Sequence, residues 1–267
     1  MFGRIRSRPV RGVVIALAGG VLAASLISMP AAAAPAPPLT PPRVRVDPAA
    51  TIRAQGAAAV VALDVACFGQ PVRTLEVDVE QTRADGSTVA SAGYASITHC
   101  GRTPQRVLAP LQGNYCTENS FCGSAGPIRP GPATVGVYYH DCNDTACNDH
   151  FYPRAPAVLT YSPALDHRTS PSLTIGRYGK VVQHGTAAYV YLHATCSEIA
   201  PGANAGQASL TQTVARSVTY AQPNRTTSPV CAPHPVHSFR VLMVGGPLRP
   251  GPAYVLYDDL SAVVTLL

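Results

Sequence analysis

Apolar and polar residues alternate with a period of two along most of this chain. Val61, Leu63, Val65 and Cys67 fall on one side of a single run. Leu75, Val77 and Val79 alternate with Glu76, Asp78 and Glu80, the pattern of a strand with one side buried and the other in water. Phe239, Val241 and Met243 carry the same alternation near the C-terminus. Proline or glycine interrupts the chain about every ten residues, and no uninterrupted apolar stripe of period 3.6 appears. The pattern predicts short strands and no long helix.

The alternating runs occur twice, in the same order. "GPIRPGPATVGVYY" (126–139) matches "GGPLRPGPAYVLYDD" (245–259), and "VALDVAC" ending at Cys67 matches "VYLHATC" ending at Cys196. Cys100 matches Cys231, and "PAVLTY" (156–161) matches "SAVVTL" (261–266). Matched positions are offset by 129 at the first cysteine, 131 at the second, 120 at Arg-Pro-Gly-Pro and 105 at the last strand. The first copy therefore carries 11 extra residues before Arg129 and 15 extra before its last strand. Each insertion holds one cysteine pair, Cys116 with Cys122 and Cys142 with Cys147. That bookkeeping assigns Cys67–Cys100 and Cys196–Cys231 as bridges shared by both copies, plus one bridge inside each insertion.

About seven short strands in roughly 100 residues form an immunoglobulin-like sandwich. The expected fold is all-β, two immunoglobulin-like β-sandwich domains in tandem, stapled by disulfides. Domain 1 spans 43–162 and domain 2 spans 172–267, joined by a linker at 163–171. Immunoglobulin strand order places the Cys142 insertion beside the Cys67–Cys100 bridge and the Cys116 insertion at the opposite end of the sandwich.

Compartment follows from the N-terminus and the cysteines. Four arginines precede the apolar run Val13–Ile27, and "MPAAAAP" offers a small-residue cleavage site after Ala33. Residues 1–33 read as a secretory signal peptide and 34–42 as a proline-rich spacer. No later apolar run is long enough to span a membrane, so the expected product is secreted, extracellular and monomeric. An even number of cysteines in an exported chain implies disulfides. Loss of four arginines and no acids takes the formal charge from +6 to +2, too little for a polyanion-binding protein, nucleic acid included, which normally shows a concentrated basic face.

The densest chemistry lies in "YYHDCNDTACNDHFY" (138–152). His140, Cys142, Cys147 and His150 make a conceivable zinc set, but their spacing fits no common finger. Asp141, Asp144 and Asp149 are hard oxygen donors, yet no bidentate Glu follows them. An oxidising compartment favours a disulfide hairpin whose Asn and Asp residues shape the turn, so no metal and no cofactor are expected. Tyr139, His140, Asp141, Asn143, Asp144, Asn148, Asp149, His150 and Tyr152 form the candidate binding loop, flanked by Tyr138 and Phe151.

Catalytic patterns are missing. There is no Gly-x-Ser-x-Gly, His-Glu-x-x-His or phosphate-binding loop, "CGSAG" lacks the Asp expected before its serine, and "HPVH" has no nearby acid. The expected product is a non-enzymatic binding module for an extracellular protein, glycan or small molecule. A structural cell-envelope protein and a small-molecule carrier are the alternatives.

"YYHDCNDTACNDHFYPRAPAVLTY" resembles the cysteine-x4-cysteine loop before the last strand of neocarzinostatin-type sandwiches, secreted actinobacterial proteins that bind a reactive chromophore. The stretch from "VDPAATIRAQGAAAVVALDVAC" through "RPGPATVGV" resembles secreted actinobacterial immunoglobulin-like domains of unknown function. These resemblances imply a sandwich fold and export.

Overall fold

Alternation becomes fifteen strands and no α-helix among the residues described by the computed structural model: 40–67, 74–97, 100–118, 121–142, 147–162, 173–194, 208–223, 237–257 and 260–267. The expected signal peptide (1–33), the expected linker (163–171), Cys196 and Cys231 lie outside the described residues. No helix among the described residues is long and apolar enough to cross a membrane.

The first half holds β1 (Arg43–Arg53), β2 (Ala58–Ala66), β3 (Thr74–Thr82), β4 (Thr88–Ser96), β5 (Gln105–Gln112), β6 (Gly131–Cys142), β7 (Cys147–Phe151) and β8 (Ala155–Tyr161). The second holds β9 (Leu173–Val182), β10 (Ala187–Ala194), β11 (Ala208–Val214), β12 (Ser217–Pro223), β13 (His237–Gly245), β14 (Gly251–Tyr257) and β15 (Leu260–Leu266). The first sheet runs β3-β4-β5-β2-β1-β8-β6-β7, and a further pairing of β3 with β6 brings it round on itself. The second closes as β10-β13-β12-β11-β14-β15-β9. Without β7 the two orders are the same, strand for strand, including the parallel pairs β1–β8 and β9–β15.

Register revises one alignment. Gly131 faces Leu159, and its counterpart Gly251 faces Leu266, so the last strands match at an offset of 107 instead of 105. The motif "VLTY" against "VVTL" is misleading because both lines alternate in the same phase. A shift of two residues preserves which side is buried.

The repeated Arg-Pro-Gly-Pro owes its place to its backbone. Gln81 Nε2 donates to Arg129 O at 2.8 Å, and Gln81 Oε1 accepts from Arg129 N at 3.0 Å. Gln212 repeats this with Arg249 at 2.8 and 2.9 Å. The following glycines, Gly131 and Gly251, both stand at φ 138°, where a Cβ is strained. Gln81→Ala removes both bonds from a buried site and should cost about 2–3 kcal/mol. That corresponds to a thermal midpoint lower by about 4–12 °C in a domain of this size. An unchanged melt would mean that water replaces the amide.

Each sheet closes over its own core. Leu63, Leu75, Val77, Leu111 and Tyr139 lie in the first; Leu192, Leu210, Met243 and Val255 lie in the second. A third cluster joins them: Ala54, Ala57, Ala58 and Val60 of the first half pack with Val218 and Tyr254 of the second. Ser209 Oγ donates to Gln112 Oε1 at 2.6 Å, Thr213 Oγ1 donates to Gln55 O at 3.1 Å, and Tyr115 lies 5.9 Å from Tyr220. Leu39–Leu267 accordingly form one compact unit.

Candidate binding face at the base of the ribbon

The segment read as a loop is an antiparallel ribbon. β6 and β7 pair Tyr138 with Phe151, Tyr139 with His150, His140 with Asp149, Asp141 with Asn148 and Cys142 with Cys147. The side chains of Asp141, Cys142, Cys147 and Asn148 lie outside the described residues, as do Asn143 and Asp144 altogether. Among the described residues no group of three or more His, Cys, Asp or Glu is arranged to hold a metal ion.

Alternation sorts the remaining candidates. Tyr139, expected in the binding loop, is 1% exposed and belongs to the first core. Odd-numbered positions of β6, from Val135 to Tyr139, all point inward, and Tyr139 continues that series. Tyr152 packs against the same core and donates its hydroxyl to Pro42 O at 2.6 Å. His150 meets the Tyr152 ring edge-on at 4.5 Å. These residues anchor the ribbon.

The opposite side carries the contact chemistry. Phe151 is 63% exposed and stacks on Tyr138, with ring centres 4.3 Å apart. His140 also lies near Tyr138, with ring centres 6.1 Å apart. His140 Nδ1 and Asp149 Oδ1 are 2.5 Å apart. The Asp149 carboxyl is held below its ordinary value, by His140 first and then by Tyr138. Burial, followed by the Asp149 carboxylate, pushes the Tyr138 phenol up to about 12.

The row continues across the sheet as Phe151, Tyr138, Glu76 and Tyr94. Here the expectation of a wet side for β3 fails, since Glu76 is 5% exposed and Asp78 1%. The Cys116–Cys122 insertion folds over them. Thr117 Oγ1 donates to Glu76 Oε2 at 2.8 Å, while Phe121 N donates to Thr117 Oγ1 at 2.9 Å. Arg154 covers the next row, 2.7 Å from Asp78 Oδ2 and 3.1 Å from Glu80 Oε2. Its guanidinium also lies 5.9 Å from the Phe121 ring centre. Gly136 stands opposite Asp78, and a Cβ there would come within 2.2 Å of the carboxylate, so only glycine fits.

Asp78 is raised to about 6, chiefly by burial, with Arg154 opposing the shift and Glu80 adding to it. The two insertions, expected at opposite ends, thus converge on one side of the first sheet. The Cys116 insertion does so because Thr117 finds a buried carboxylate on β3. Cys67–Cys100 and Cys116–Cys122 are disulfides.

Glu76, Asp78, Thr117 and Arg154 were not singled out by sequence reasoning. The only available signal was the acid–apolar alternation of β3, which implies solvent unless a distant segment covers it.

No family model matches the sequence, and no curated protein is significantly similar to it. Among solved structures the chain is matched to the crystal structure of red sea bream transglutaminase, at 13% identity and a TM-score of 0.21. The match covers 86% of this chain and 32% of that one, so this chain spans about a third of its length. A likeness at that level carries neither fold nor activity across.

Proposed function

We propose that this is an exported, non-enzymatic binding protein built from two immunoglobulin-like sandwiches, with the ribbon of the first half as its contact surface. The observation that carries the reading is the exposed Phe151 ring, stacked on a buried Tyr138 beside the His140–Asp149 pair. A rigid aromatic flanked by polar groups suits recognition of an extracellular protein, glycan or small molecule. Among the described residues the second half has no counterpart of β7, so this reading places the contact chemistry on the first half.

A structural role in the cell envelope is the second reading. It is supported by the Cys116–Cys122 insertion, whose described contacts are spent on shielding Glu76 and its neighbours.

Phe151→Ala distinguishes the two. Its ring is mostly exposed, so the melt should shift by less than about 1 kcal/mol. Binding to whichever arrayed extracellular glycan or protein retains the exported chain should weaken tenfold or more, as for a central aromatic anchor. Equal retention of wild type and variant would remove the ribbon from the contact surface.

A further inference from the structure

The halves meet through non-equivalent sides. The first offers the outer side of β2 and β5 with the turn at Ala54–Gly56, and the second offers the outer side of β11, β12 and β14. Head-to-tail contact of this kind leaves the second half's own version of the accepting side open. Register aligns the two versions: Ala54, Ala57, Val60 and Leu108 correspond to Gln183, Thr186, Tyr189 and Arg240. Ala58 keeps an alanine in Ala187, but these four apolar groups that receive the neighbouring sheet are replaced by an amide, a hydroxyl, a ring and a cation. A third sandwich would not fit that surface.

Tyr178 is 59% exposed, Lys180 stands opposite Tyr189, and Tyr191 stands opposite Arg240. The Arg240 guanidinium lies 4.6 Å over the Tyr189 ring. The charge is one-sided as well. Residues 43–162 hold nine Lys and Arg against ten Asp and Glu, whereas residues 172–267 hold six against three. Glu198, Asp258 and Asp259 all lie outside the described residues, so the described strands of the second half carry no carboxylate side chain. The near-neutral total conceals a cationic half.

We infer that the outer side of β9, β10 and β13 binds an anionic polysaccharide, one with carboxylate or phosphodiester groups along its chain. Tyrosine rings stack on sugar rings, and Lys180 and Arg240 pair with the acidic groups, Arg240 in a planar fork suited to either anion. Rings and cations set in a sheet suit an extended polymer better than a bilayer, which is entered by protruding apolar segments. This surface is separate from the ribbon, and the inference does not depend on it.

The test is affinity electrophoresis of the exported chain through gels containing polygalacturonate, poly(glycerol phosphate) or neutral dextran. Retardation is expected in at least one anionic gel and not in dextran, weakening several-fold between 50 and 200 mM salt as screening shortens. Tyr189→Ala and Arg240→Ala should each reduce it fivefold or more. Arg216→Ala, an equal loss of charge on the β11–β12 turn, should leave it unchanged. A melt of each variant confirms folding. No retardation in either anionic gel, equal loss with Arg216→Ala, or tighter binding to single-stranded DNA would overturn the inference. So would concentration-dependent dimerisation abolished by the same two substitutions, which would make a second copy the occupant.

Discussion

Arg154→Ala should lower stability at pH 7 by about 3 kcal/mol, the low end of what breaking a buried ion pair costs. Asp78 is almost wholly enclosed, whereas the Arg154 side chain is 38% exposed, so the penalty is that of a carboxylate left without its cation. The same substitution in an Asp78→Asn background should cost less than about 1 kcal/mol, because an amide has no charge to strand. Equal costs in both backgrounds would mean that Arg154 acts by covering Phe121.

The pH dependence has a definite sign. Folded Asp78 holds its proton up to about pH 6, against an ordinary value of 3.8. Between those values the folded state binds more protons than the unfolded one, so acidification from pH 7 toward 4 adds stability. The gain from this group is up to about 3 kcal/mol, and Asp78→Asn should abolish it. Thermal midpoints of wild type and Asp78→Asn at pH 7 and pH 5 provide the check. Parallel shifts in the two proteins would contradict the assignment.

Tyr254→Ala should be comparably severe. Tyr254 is 0% exposed and points away from its own core into the cluster it shares with Ala54, Ala57, Ala58 and Val60. Loss of a buried ring of this size costs about 3–5 kcal/mol. The form of the melt is as telling as its midpoint. Calorimetry should show one transition for the wild type, since neither half buries this surface alone, and two for the variant. Two transitions in the wild type would show that the halves unfold independently.

The candidate face was half legible. "YYHDCNDTACNDHFY" marked the ribbon by composition alone, but alternation within it decides which residues can be touched. Tyr138 and Tyr139 are adjacent and chemically identical, and a single step in phase places one beneath Phe151 and the other in the core. The acids of β3 were visible as acids. Their enclosure was not, because Thr117 and Arg154 reach them from 41 and 76 positions away.

Strands, their order along the chain and the internal duplication follow from the sequence by itself, because period-two alternation, Gly and Pro punctuation and paired cysteines are local signals. Motif offsets located both insertions but miscounted them, since register makes the offsets 132, 120 and 107 and the insertions 12 and 13 residues instead of 11 and 15. Tertiary structure alone decided which outer sides remain wet. One such side in the first half is sealed by a disulfide-tied insertion, another by the second half, and no described residue lies over the second half's own equivalent with its tyrosines and cations. Coverage of a sheet is a long-range event, and a residue facing outward has the same sequence pattern whether water or another part of the chain lies above it.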